Sequence, residues 1–165
     1  SLSRDKSSEK PDEVLGRLKI VPLTISYEID PCDVLKAQEL IVGAAYEKAP
    51  FEDLDSIARG ILGAKGHVHL HFGSPLDGPS LSVTDAVALI DMSMVENFQL
   101  FKTNFWACDA LGITAPPAMP DRAKASITKA EFMARFDGLP YLERQRALQM
   151  YAQPVLNWMA IHSEA

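Results

Sequence analysis

Three histidines open the chemical reading of the chain. His67, His69 and His71 alternate with Val68 and Leu70, and in an extended strand that spacing puts all three imidazoles on one face. Strand-borne imidazole pairs ligate zinc, but same-face neighbours sit roughly 6–7 Å apart, so three on one flat strand do not converge on one ion without a ligand from elsewhere. The competing reading is a polar sheet face, covered by a helix or open to water, and no metal ligand is assigned. Cys32 stands between Asp30 and Asp33. A thiol at a helix start has a lowered pKa, but two neighbouring carboxylates oppose the shift. Helix capping by Asp30 and an inert thiol at Cys32 are the plainer reading, and Cys108 reads as packing on a helix. Gly60, Gly63, Gly66 and Gly73 match neither dinucleotide nor P-loop spacing. There is no G-x-S-x-G elbow and no H-E-x-x-H.

The elements that must position these residues follow from periodicity. Residues 18–27, Leu-Lys-Ile-Val-Pro-Leu-Thr-Ile-Ser-Tyr, predict a strand at a sheet margin, where Pro22 needs no ladder donor. Asp30 before Pro31 predicts a helix start, with the helix running to about residue 47. A second helix is predicted over 53–62, stopped by Gly63, and a second strand over 67–73. Strand, two helices, strand fits a crossover unit of an α/β sheet. From Ser82 a single long amphipathic helix is predicted, with Val83, Val87, Ile90, Met94, Phe98, Phe101 and Phe105 on its apolar face. Its aromatic group, with Trp106, reads as core before it reads as an acyl-chain or membrane site. After the proline-rich residues 115–120, helices are predicted over 128–136 and 141–162, with Pro154 expected to kink or split the last one. The chain thus divides into a flexible lead-in (1–17), an α/β domain (18–110) and a helical C-terminal region (111–165).

A net charge of −6 argues against a surface built to neutralise nucleic-acid phosphates. The two cysteines lie far apart, with neither zinc-finger nor disulfide-framework spacing, which suits a reducing cytoplasm. The stretch 83–105 is the most apolar, but Asp85, Asp91, Glu96 and Lys102 interrupt it, so no membrane span is predicted there. Peripheral contact with the inner membrane stays open.

Two runs carry a resemblance. They are Ile20-Val21-Pro22-Leu23-Thr24-Ile25-Ser26-Tyr27-Glu28-Ile29-Asp30-Pro31-Cys32-Asp33 and Lys65-Gly66-His67-Val68-His69-Leu70-His71-Phe72-Gly73-Ser74-Pro75-Leu76. Together they resemble bacterial glycerol-3-phosphate and 1-acylglycerol-3-phosphate acyltransferases. The first run is similar to that family's fourth conserved block and its continuation, the second to a following strand and loop in one bacterial branch. The resemblance implies a partial acyltransferase-like α/β sheet with flanking helices, and a substrate-region role for Val21 and Pro22.

The family moves an acyl group from coenzyme A or acyl carrier protein to a glycerol hydroxyl, with a His-x-x-x-x-Asp dyad as base and orienter. Here five positions after His67, His69 and His71 stand Phe72, Ser74 and Leu76. The dyad is absent, as is the family's E-G-x-R phosphate motif, and no catalytic residue is assigned. The expected function is therefore the C-terminal portion of a phospholipid-biosynthesis acyltransferase, inactive by itself. Its acyl thioester and glycerol phosphate would be engaged only within a longer chain. The alternatives are a non-catalytic protein- or lipid-binding module on the same scaffold and a small metal-binding protein. If a strand-bearing half is missing, the sheet should keep an open edge or an uncovered apolar face.

Overall fold

The fold is taken from a computed structural model, which describes residues 15, 18–76, 81–116 and 125–162. The predicted lead-in lies almost wholly outside the described residues. Two strands and six α-helices appear among them: β1 (Leu23–Tyr27), α1 (Asp33–Val42), α2 (Glu52–Leu62), β2 (Val68–Phe72), α3 (Val83–Glu96), α4 (Lys102–Leu111), α5 (Lys129–Ala134) and α6 (Tyr141–His162).

The class is mixed α and β and mostly helical, with a sheet much smaller than the resemblance implied. β1 and β2 form a two-stranded antiparallel ribbon, where a parallel crossover was expected. Its register shows in three bonds: Leu76 N–H to Ile20 O (2.8 Å), Gly73 N–H to Pro22 O (2.8 Å) and Glu28 N–H to His67 O (2.9 Å). The connection explains the direction. One crossover helix carries the chain to the far end of a sheet, whereas an even number of helices returns it to the end it left. Here α1 departs beside Pro31 and α2 returns to the same point, so closely that a Cβ on Gly63 would fall 2.3 Å from Pro31 Cβ.

The described residues fall into two compact units, one made of residues up to Ile25 with Leu70–Phe98, the other of Ser26–His69 with Gln99 onward. The second holds the helical core, in which α6 packs on α4 and α1. Phe132 is fully buried there, with its ring centroid 4.9 Å from Tyr151, 5.3 Å from Phe136 and 5.9 Å from Trp106. Edge-to-face packing of this kind stabilises beyond area alone. Phe101 and Phe105 belong to this interior as well.

Local chemistry sets the helix limits. The single helix predicted from Ser82 is two. Asn97 ends α3 by taking Ser93 O with its backbone and carboxamide N–H groups (3.1 and 2.8 Å). Gln99 N–H then donates to Ser26 Oγ (2.9 Å), and Asn104 Oδ1 accepts from Phe101 N–H (2.7 Å) to start α4. No glycine or proline marks this break, so periodicity reads straight through it. α1 stops well short of residue 47, because Gly43 adopts φ = 63° and a single 3-10 turn follows. α5 begins at a capping box, Thr128 Oγ1 accepting from Glu131 N–H and Glu131 Oε2 from Thr128 N–H. α6 runs unsplit through Pro154. Among the described residues no helix is long and apolar enough to cross a membrane.

Candidate functional site

Along residues 21–28, through β1, exposure alternates, but in the unexpected sense. Thr24, Ser26 and Glu28 are buried, while Val21, Leu23, Ile25 and Tyr27 face outward. The inward polar residues are mostly consumed by structure. Ser26 takes the Gln99 N–H. The Glu28 carboxylate accepts from His67 N–H (2.8 Å), Ser126 N–H (2.7 Å) and Ser126 Oγ (2.7 Å), with His67 Nδ1 at 4.0 Å. Burial alone would raise the Glu28 pKa, and these bonds to the charged form outweigh it, so the carboxyl titrates below its ordinary value. Thr103 Oγ1 donates to the Glu28 carbonyl (2.7 Å).

A second polar cluster joins the α1 start to the helices behind it. Asp33 Oδ2 accepts from Arg135 Nη2 (2.7 Å) and Nε (3.1 Å) and from the Tyr151 hydroxyl (2.9 Å). That hydroxyl itself accepts from Asp30 N–H (2.8 Å). Burial, and then the Asp33 charge, push the Tyr151 phenol up. Burial opposes the Arg135 charge, but the Asp33 bonds prevail and leave its pKa raised. Every polar member has a partner, as a buried carboxylate beside a half-buried guanidinium requires. Glu28, Asp33, Arg135 and Tyr151 were not singled out in sequence as a set. Period-two spacing after Thr24 and Ser26 is a signal for Glu28, but no local pattern joins Asp33 to Arg135.

A cleft of ≈ 350 Å³ beside Tyr27, Cys32 and Ser56 also carries Lys36, Lys48 and Lys65. Each ammonium is already engaged: Lys36 with Asp30 (2.6 Å), Lys48 with Asp53 (2.6 Å), and Lys65 with the carbonyls of Gly63 (3.1 Å) and Ile61 (3.3 Å). No phosphate clamp is preformed there. Asp30 Oδ1 also accepts from Cys32 N–H (2.8 Å), a turn bond and not the predicted helix cap: α1 begins at Asp33, behind Cys32, with no side-chain bond capping it, because residues 31 and 32 form a turn first. The Cys32 thiol is buried and directed at Ser56 O (3.5 Å). Cys108 is buried too, and burial, followed by Asp109, pushes its pKa up to about 11.

The residues assigned to the substrate region, just before β1, part company. Val21 is exposed on the outward face, and Pro22 is buried on the inward one with its carbonyl bonded to Gly73. His69 and His71 lie half-buried on the polar side, while His67 is more open. Among the described residues no three His, Cys, Asp or Glu side chains come together as a metal set.

The outward side is the distinctive feature. In the first unit Val21, Leu23 and Ile25 of the β1 run and Leu70 and Phe72 of β2 share one ribbon face, each between 43% and 68% exposed. Within the second unit, α2 also has its apolar side exposed. Glu52, Ser56 and Gly60 face inward at four-residue spacing, while Leu54, Ile57, Ile61 and Leu62 stand 57% to 84% exposed. No residue of α2 is buried. A soluble amphipathic element ordinarily packs the opposite way.

No protein-family model, no curated protein and no solved structure matches the chain.

Proposed function

We propose that the chain is the C-terminal portion of an acyltransferase domain acting on glycerol phosphates, and that it has no transfer activity by itself. The outward apolar ribbon face carries this reading. Val21, Leu23 and Ile25 belong to the very run that resembles the family's fourth block, and they stand open as a face would that packs against, or lines a substrate channel with, the dyad-bearing portion. No His here is followed five positions later by Asp, so the general base must come from elsewhere. Loss of a general base alone costs roughly 10²–10⁴ in rate.

Incubating the chain with acyl-coenzyme A and glycerol 3-phosphate or its 1-acyl derivative, and following free thiol, is the direct test. No acceptor-dependent release above a boiled control is expected. The genomic sequence upstream of Ser1 gives the complementary test. An in-frame His-x-x-x-x-Asp and E-G-x-R support the reading, and a stop codon directly upstream overturns it. In that case a non-catalytic protein- or lipid-binding module on the same scaffold replaces it. The open face of α2 favours that second reading.

A further inference from the structure

In the first unit the backbone of β1 is open as well as its side chains. A residue in an antiparallel strand sends its N–H and C=O to the same edge, and successive residues alternate. Gly73 N–H bonds to Pro22 O (2.8 Å), so Pro22 and Thr24 turn their backbone groups toward β2, and Val21, Leu23 and Ile25 turn theirs away. Among the described residues the sheet has no third strand, and nothing takes the N–H or C=O of Leu23 or Ile25 at that edge. Natural proteins blunt such an edge with charge, proline or a bulge. β2 is blunted twice. The bonds of Leu76 to Ile20 and of Gly73 to Pro22 leave Ser74 and Pro75 opposite the single residue Val21, which is a bulge with a proline in it. β1 has no such protection. Residues 20–27 carry no charge, and Pro22 lies on the β2 side, where it removes no donor from the open edge.

We propose that β1 pairs edge to edge with β1 of a second copy of this chain, antiparallel about a two-fold axis at Leu23. An open strand edge selects extended backbone, because only that presents donors and acceptors at matching intervals. The edge positions are symmetric about Leu23, so Leu23 meets Leu23 of the second copy and Val21 meets Ile25 of the second copy. Each pair exchanges both N–H···O bonds. Val21, Leu23 and Ile25 are each 43% exposed on the outward side, so apolar side chains meet apolar side chains, β-branched against β-branched. No charge stands opposite its own sign. The edge offers a foreign strand no charge to recognise, only alternating apolar residues, and β1 itself supplies those in phase. The pairing uses the edge of β1 and leaves open the outward face on which the acyltransferase reading rests.

Sedimentation equilibrium and amide hydrogen exchange on the 165-residue chain test the proposal. A weak monomer–dimer equilibrium is expected, since a few residues of strand make a small interface. As concentration rises, exchange should slow at Leu23 and Ile25 and stay unchanged at Leu70 and Phe72. Leu23→Lys and Leu23→Glu each set like charges together at the axis and should weaken the dimer about tenfold. The site being exposed, neither should change the far-UV circular dichroism. An equimolar mixture of the two variants should associate about tenfold more tightly than either alone, because Lys then faces Glu, and non-specific stickiness gives no such recovery. Leu70→Lys, on β2, should leave the dimer intact. If a substitution at Leu23 disturbs the fold, the concentration dependence of exchange in the wild type decides. A monomer at every concentration, exchange at Leu23 and Ile25 that ignores concentration, a mixture of folded variants no tighter than its components, or a dimer lost with Leu70→Lys would each overturn the proposal.

Discussion

Phe132 and Ile57 are both large apolar residues in helices of the same unit, yet one is wholly buried and the other 57% exposed. Around Phe132 the fold behaves as a finished interior, with aromatic edges meeting faces and the polar groups of Asp33, Arg135 and Tyr151 mutually bonded. Around Ile57 the arrangement is reversed, the small and polar residues Ser56 and Gly60 turning inward and the aliphatic side chains outward. The interior thus holds itself together, while the outward face has its apolar surface still to bury.

Substitutions should separate the two regions. Phe132→Ala should cost ~3–5 kcal/mol, while Ile57→Ala should stay within about 0.5 kcal/mol, both read from urea unfolding midpoints at one low protein concentration. Comparable losses at the two sites would mean that α2 is covered after all. Asp33→Ala should cost less, ~1–3 kcal/mol, because the half-buried Arg135 guanidinium keeps the Asp30 carbonyl (3.2 Å) and access to water, while the Tyr151 hydroxyl loses its acceptor. The Asp33→Ala/Arg135→Ala pair should lose clearly less than the sum of the singles in a double-mutant cycle.

Gly66 and Ser126 test the seal around Glu28. A Cβ at Gly66 would lie 2.4 Å from Glu28 Oε2 at a φ of 62°, so Gly66→Ala should destabilise by ~1–3 kcal/mol. Ser126→Ala removes one bond to a charged group, about 1.5–3 kcal/mol at neutral pH. Because the folded Glu28 pKa is lowered, the stability it contributes is present above the unfolded value of about 4.3 and disappears as pH falls through the folded one. The gap between wild type and Ser126→Ala should therefore be widest near neutral pH and close in strong acid. A gap that grows on acidification would mean that Glu28 is held neutral. The smallest effect on stability belongs to the ribbon. Leu23→Ser and Phe72→Ser should shift the midpoint by no more than about 0.5 kcal/mol while reducing the fluorescence of an apolar dye bound to the native chain.

Much of the local structure was legible without the fold. The helix start at Thr128, the stop of α2 at Gly63 and the strand through the three histidines all depend on neighbours within about four residues, and sequence carries those directly. The break at 97–101 was not legible, because its signal is the distant Ser26 hydroxyl that holds Gln99 N–H, not a glycine or proline. Nor was the strand direction, which depends on where α2 returns the chain beside Pro31.

The sidedness divides the same way. Alternation along residues 21–28 and the amphipathic pattern of α2 are properties of sequence, since side-chain direction follows backbone period. Which side turned inward was decided only in three dimensions. Ser126 and His67 reach the Glu28 carboxylate, and Arg135 and Tyr151 reach Asp33, from about 40 to more than 100 positions away. Those bonds can offset the desolvation of a carboxylate when they arrive together. Their arrival holds the Glu28 and Asp33 carboxylates inside.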